Sequence, residues 1–112
     1  MNADRPSPET HATTPIRVAM PHQLRSLARV TGEVAVEVPL PATVSATLDA
    51  LEAAHPSLVG TIRDRVTGRR RPMIRVYADG EDLSDVPVDT LLPDPVAQGC
   101  DPLRLVGAIS GG

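Results

Sequence analysis

The sequence predicts an α+β domain in which one main helix lies over one face of a mixed sheet of four or five short strands. Three observations predict it. Apolar residues alternate at period 2 in four separate places, the mark of half-buried strands, whereas the helical period appears strongly once. No internal repeat or linker divides the 112 residues, a length that fits one compact unit. The helical run falls between the second and third alternating runs, an order that favours a sheet covered by a helix over separate layers.

Taken in order, residues 1–15 are polar and proline-punctuated with no apolar period, and are expected to be a disordered leader. Ile16, Val18 and Met20 then alternate with Arg17 and Ala19, predicting the first strand. A loop containing Thr31-Gly32 separates it from Val34, Val36 and Val38, which alternate with Glu33, Ala35 and Glu37. Pro39 and Pro41 end this second strand, because proline cannot donate to a ladder. The two strands are expected to pair as an antiparallel hairpin across a long loop. Next, Val44, Leu48, Leu51 and Ala54 or His55 fall at helical spacing, with Ser45, Thr47, Asp49 and Glu52 on other faces. Thr43 is the N-cap candidate, although Ala46 three positions on leaves no capping box. Pro56 stops the helix, and Leu58, Val59 and Ile62 predict a short irregular turn.

Residues 66–72 read as a loop. Ile74, Val76 and Ala78 then alternate with Arg75 and Tyr77 in a third strand, closed by the tight-turn pair Asp79-Gly80. The proline-rich stretch 83–102 is expected to hold one very short strand at residues 86–88. Leu103 and Leu105 alternate with Arg104 and Val106 in a last strand running to about Ala108. The domain is therefore expected over residues 16–108, followed by a flexible tail at 109–112. With the apolar sets turned to Val44, Leu48 and Leu51, the opposite sheet face carries Arg17, Ala19, Glu33, Ala35, Glu37, Arg75, Tyr77, Arg104 and Val106.

Composition narrows the function. The chain has no Phe or Trp and one Tyr, so its core must be aliphatic and its stability modest. All 11 basic residues are Arg, and the net charge is −3. That balance argues against nucleic acid, which calls for a basic face with aromatic platforms. Without lysine the chain cannot form isopeptide-linked polymers through its own side chains. One cysteine, Cys100, excludes an internal disulfide and suits a reducing compartment. No apolar run approaches the roughly 20 residues of a membrane span, and the start lacks a signal-peptide pattern; a cytoplasmic location is expected.

The chain finishes Gly107-Ala108-Ile109-Ser110-Gly111-Gly112. Terminal glycines add nothing to packing and are the residues most resistant to ordering. They do suit a segment that must lie flat in a narrow channel. At average glycine usage two in a row arise at a given place roughly once in two hundred chains. With Leu48-Asp49-Ala50-Leu51-Glu52-Ala53-Ala54-His55-Pro56 and Ile74-Arg75-Val76-Tyr77-Ala78-Asp79-Gly80-Glu81-Asp82-Leu83, this ending resembles the MoaD/ThiS sulfur carriers over residues 16–112. Among them, the actinobacterial carriers of the CysO type look most alike. Two departures stand out: Gly107 replaces a frequent proline, and residues 93–102 carry extra proline and Cys100 in place of a compact Gly-Asp turn.

The resemblance implies a β-grasp, ubiquitin-like fold and a protein that is not itself an enzyme. It implies that an E1-like adenylyltransferase and sulfurtransferase uses ATP to adenylate the Gly112 carboxylate. A sulfur donor then leaves a thiocarboxylate, whose sulfur passes to an acceptor enzyme making molybdopterin, cysteine, thiamin or a specialised metabolite. Gly112 is thus the implied covalent site, with Gly111, Ser110 and Ile109 needed for passage into the activating enzyme. No cofactor is implied as bound, and the chain alone is expected to be monomeric. The open sheet face is the expected docking surface, with Arg17, Arg75, Tyr77, Arg104 and Val106 as its candidate residues. Its arginines would favour an acidic rim on the partner.

Other signals are weaker. His11, His22 and His55 are scattered, with no metal-ligand spacing. Cys100 has no base or cation beside it in sequence. Asp79, Glu81, Asp82 and Asp85 lack calcium-loop spacing, and Arg69-Arg70-Arg71 reads as a solvated loop. Two alternatives stay open: a ubiquitin-like modifier joined to lysines through Gly112, and a non-covalent β-grasp interaction module.

Overall fold

Strand β1 (Thr13–Ala19) and strand β2 (Val34–Pro39) pair antiparallel, with Thr13 opposite Pro39 and Val18 opposite Val34. The computed structural model describes residues 12–107. The hairpin is the expected one, but β1 starts at Thr13, not Ile16. Residues before Ala12, most of the expected leader, lie outside the described residues.

The hairpin's long connection is a helix instead of the expected loop: α1 (His22–Ala28). It has seven residues and one fully buried side chain, Leu24, too short a run to display a period. It ends where Arg29 adopts a left-handed conformation (φ 61°) and its amide returns to the last turn. Ser57 Oγ donates to the Leu27 carbonyl at 2.7 Å and fastens this helix to the turn beyond the main one.

Helix α2 (Val44–Ala54) forms as the sequence predicts, and Thr43 caps it: Ala46 N–H donates to Thr43 Oγ1 at 3.0 Å. Two further first-turn amides are satisfied from outside the helix. Val44 N–H donates to the Thr90 carbonyl and Ser45 N–H to the Val88 carbonyl. Residues 86–88 do not form the short strand expected there: the Val86 amide and the Pro87 carbonyl close local turns with Leu83 and Thr90, and the Val88 carbonyl serves the helix terminus, whose donors need partners. Thr47, expected on another face, is fully buried; its hydroxyl donates to the Thr43 carbonyl at 2.8 Å, which removes the penalty of burying it. Pro56 opens a 3₁₀ turn (Pro56–Leu58) that sends Leu58 into the core.

Strand β3 (Ile74–Ala78) turns through Asp79 (φ 52°) and Gly80 (φ 78°) into β4 (Glu81–Asp82), two residues that supply the fourth strand. Two consecutive positive φ values define the mirror-image turn that Asp-Gly favours in hairpins. A four-residue helix, α3 (Asp94–Ala97), occupies the proline-rich stretch and seals Val96 inside. Strand β5 (Leu103–Gly107) then enters the middle of the sheet, parallel to β1 and antiparallel to β3, giving the order β2-β1-β5-β3-β4. The core between sheet and α2 is aliphatic: Ile16, Val18, Val36, Val38, Leu48, Leu51, Ile74, Val76, Leu103 and Leu105 are all buried. This is the α+β, mixed five-stranded arrangement expected.

Candidate functional site

Because strand side chains alternate, burying those residues turns Arg17, Ala19, Ala35, Glu37, Arg75, Tyr77, Arg104 and Val106 to the other face. None of the eight is buried. Register then decides which stand together. Arg104 is opposite Ala19 on one side and Tyr77 on the other, Tyr77 is opposite Asp82, and Val106 is opposite Arg75. Tyr77, Arg104, Val106 and Arg75 therefore form one patch across β5 and β3. Arg17 stands apart, opposite Ala35 toward β2.

The three arginines are not equivalent. Arg17 holds Glu33 through two bonds, Nε to Oε1 at 2.9 Å and Nη2 to Oε2 at 3.1 Å. Its Nη1 donates to the carbonyls of Gly99 and Cys100. This bonding keeps the Glu33 carboxyl below its ordinary range and raises the Arg17 guanidinium. Arg75 is bonded to Asp82 and lies 3.6 Å from Asp85. Arg104 is exposed and makes no hydrogen bond or ion pair among the described residues. The expected trio of docking cations thus separates into two that brace the fold and one with no partner among the described residues.

The patch reaches the end of β5. Gly107, opposite Ile74, is the final described residue; Ile109, Ser110, Gly111 and Gly112 lie outside the described residues. Nothing at Gly107 demands glycine, since an added Cβ would meet no atom within 4 Å. Val106 retains 41% of its surface exposed beside this exit.

A loop lies between the 3₁₀ turn and β3 where the sequence places one, and residues 65–69 of it are exposed; what sequence reasoning missed is that Arg63 and Arg70 are held within the fold. Arg70 donates to the carbonyls of Ile74 (2.7 Å), Arg71 (3.0 Å) and Ser84 (3.0 Å), and to Asp85 at 3.1 Å. Arg63 is held by Glu52 and Asp49. The clue in sequence was the density of arginines around Asp64, but their partners lie far away in the chain. A small apolar cleft between this loop and α2, lined by Val44, Leu48, Val76, Leu83 and Val86, is rimmed by these same engaged arginines. Among the described residues no three His, Cys, Asp or Glu side chains gather as a metal site, and no helix is long and apolar enough to cross a membrane.

A five-stranded mixed sheet with a central parallel pair, a helix across one face and an open opposite face defines a ubiquitin-like β-grasp protein. No protein-family model matches the chain, and no curated protein matches it. Solved structures do. The chain is similar to small archaeal modifier protein 1 of Haloferax volcanii at 28% identity, over 88% of this chain and 99% of that one, with a TM-score of 0.69. It is also similar to the BexX/CysO complex of Amycolatopsis orientalis at 23% identity, over 86% and 98% of the two chains, with a TM-score of 0.66. The small archaeal modifier protein 1 of Methanosarcina acetivorans shares the fold at 19% identity and a TM-score of 0.68, over 90% and 99%. The resemblance to the MoaD/ThiS type, drawn from sequence motifs, is thus matched by the fold.

Proposed function

We propose that this protein is a sulfur carrier whose reactive group is the carboxylate of Gly112. The observation that carries the reading is the pairing of a β-grasp fold, similar over nearly its whole length to carrier and modifier proteins, with a Gly111-Gly112 ending just beyond the central strand. A carboxylate is a poor electrophile, protected by resonance and charge. In the proposed cycle its oxygen attacks the α-phosphorus of ATP on a ubiquitin-activating-type enzyme, and pyrophosphate leaves. Hydrosulfide then adds to the acyl carbon of the adenylate, AMP departs and a proton is released, giving the thiocarboxylate. That sulfur is a soft nucleophile for an acceptor enzyme's substrate. The chain itself supplies the reactive end and the docking surface; Gly111, Ser110 and Ile109 thread the tail, and the Tyr77, Arg104 and Val106 patch meets the partner. An intracellular, reducing site of action accords with this chemistry. The CysO neighbour was captured with BexX, which supports the reading that the chain works with partner enzymes.

The test is intact-mass spectrometry after incubation with ATP, sulfide and the adenylating enzyme of the same genome. The oxygen-to-sulfur mass increment, lost when Gly112 is deleted, is the expected outcome. Absence of both adenylate and thiocarboxylate would refute the carrier reading. A second reading, covalent modification of other proteins, is favoured by the likeness to archaeal modifiers; it requires Gly112-derived remnants on target lysines.

A further inference from the structure

We infer that the arginine-rich loop at residues 60–72 is a second docking element, which seats Val66 in an apolar pocket ringed by carboxylates on the enzyme that activates the tail. The inference rests on the carrier reading for the enzyme's identity and on the following geometry for the rest.

The loop is built to hold its apex still. Asp64 N–H donates to the Arg69 carbonyl at 2.7 Å and Gly68 N–H to the Asp64 carbonyl at 2.8 Å. Asp64 Oδ1 accepts from the amides of Val66 and Thr67, both at 2.8 Å. Thr67 and Val66 first, and Arg71 least, keep that carboxyl below its ordinary range, so it stays charged and bonded. Gly68 takes the left-handed φ of 74° that closes the turn. Below the apex, Arg71 N–H donates to the Ile62 carbonyl at 2.8 Å and its Nε to the Gly60 carbonyl.

On this closed frame Val66 is 92% exposed. A β-branched apolar residue held at a rigid apex loses little conformational freedom when buried, which suits it to anchor an interface. Around it the charges are unbalanced. Arg63, Arg70 and Arg71 face carboxylates at Glu52, Asp85 and Asp64. Arg65 and Arg69 are exposed and have no carboxylate partner among the described residues. In a chain of net charge −3, these two arginines, one on the residue before Val66 and one three residues after it, give the loop a local positive excess beside an apolar tip, complementary to an apolar pocket with an acidic rim.

Its position picks the partner. Ile74 N–H donates to the Arg71 carbonyl at 3.0 Å, and Ile74 is opposite Gly107. The loop base therefore stands at the end of the sheet where the chain passes into residues 108–112. Five residues span at most about 17 Å however they run. An enzyme holding the Gly112 carboxylate is brought against this end of the molecule, where the loop projects. A nucleic-acid strand is the less suitable occupant: the loop has no aromatic residue to stack a base, and Val66 adds nothing to phosphate contact.

The experiment measures binding and adenylation separately, using the full chain and the same-genome adenylating enzyme. The variants are R65Q/R69Q, V66S and, at the opposite end of the sheet beyond α3, Q98E. Dissociation constants come from calorimetry at low and high salt, and adenylation from ATP–pyrophosphate exchange. R65Q/R69Q is expected to weaken binding about tenfold at low salt, with the difference shrinking at high salt as screened charges require. V66S should weaken it several-fold at both, and Q98E should bind as the parent does. Loop variants that bind like the parent, with exchange intact, overturn the docking role and leave the carrier reading standing. A complex weakened by the loop substitutions but unable to exchange keeps the docking role and sinks the carrier reading. No complex with the parent chain overturns both. Binding of a 20-nucleotide single strand that R65Q/R69Q abolishes, with enzyme binding unchanged, also overturns the proposal.

Discussion

Asp82 shows how one carboxylate can organise its neighbourhood. It lies on the two-residue strand β4, accepts the Ser84 amide on Oδ1 at 2.9 Å, and takes Arg75 on Oδ2. Ser84 Oγ in turn accepts the Val76 amide at 2.8 Å, linking the turn to β3. The Ser84 side chain first, then Arg75 and the Ser84 amide, hold the Asp82 carboxyl well below the usual carboxylate range. A carboxyl lowered on folding binds its proton more readily in the unfolded chain, so stability rises with pH through that window. The contribution is complete above the ordinary aspartate value of about 4 and fades as pH falls toward the folded value. Glu33 and Asp64 act with the same sign. The variant D82N should therefore melt below the parent at pH 7. Its melting temperature should also decline less steeply between about pH 4 and pH 2, a comparison that circular dichroism can make. Parallel acid profiles would show that Asp82 is not coupled to folding.

At the scale of elements, α2 depends on three donors in its first turn. Thr90 and Val88 carbonyls take two, and Thr43 Oγ1 takes the third. Removing the last leaves the Ala46 amide without its partner, so T43A is expected to cost about 1 kcal/mol. For a domain of this size that is a fall of roughly 4–8 °C in melting temperature, and T43S should recover most of it. An unchanged melting temperature would mean that water replaces the cap without loss. This helix was legible in the sequence because 11 residues complete enough turns for Val44, Leu48 and Leu51 to declare a face. Helix α1 was not, since Leu24 alone marks it. Strand β4 was missed for the same reason: two residues have no period. Thr47 misled because its burial is made tolerable by a bond to the Thr43 carbonyl, a partner that hydropathy does not reveal.

For the molecule as a whole, the decisive fact is that β1 and β5, from opposite ends of the described chain, lie side by side at the centre of the sheet. The open face was legible because alternation alone assigns side chains to faces. The different roles of Arg17, Arg75 and Arg104 were not, because they depend on cross-strand register and on residues such as Gly99 and Asp85 brought close by loops. The same topology predicts that folding and the proposed chemistry of the terminal carboxylate can be separated by truncation. Leu103 and Leu105 are buried, and losing either side chain from a core costs about 2–5 kcal/mol, a large share of the 5–15 kcal/mol that holds a typical domain together. A chain truncated before Leu105 also loses most of the pairing between β5 and β3, so it should show no cooperative unfolding transition. A chain lacking only Gly111 and Gly112 keeps every bond of β5 described here, and should melt within about 1 °C of the parent, well inside the shift that 1 kcal/mol produces. It should nevertheless give no adenylate with the activating enzyme. Loss of the cooperative transition in that shorter deletion would place the two glycines in the fold; retained function would make them incidental to it.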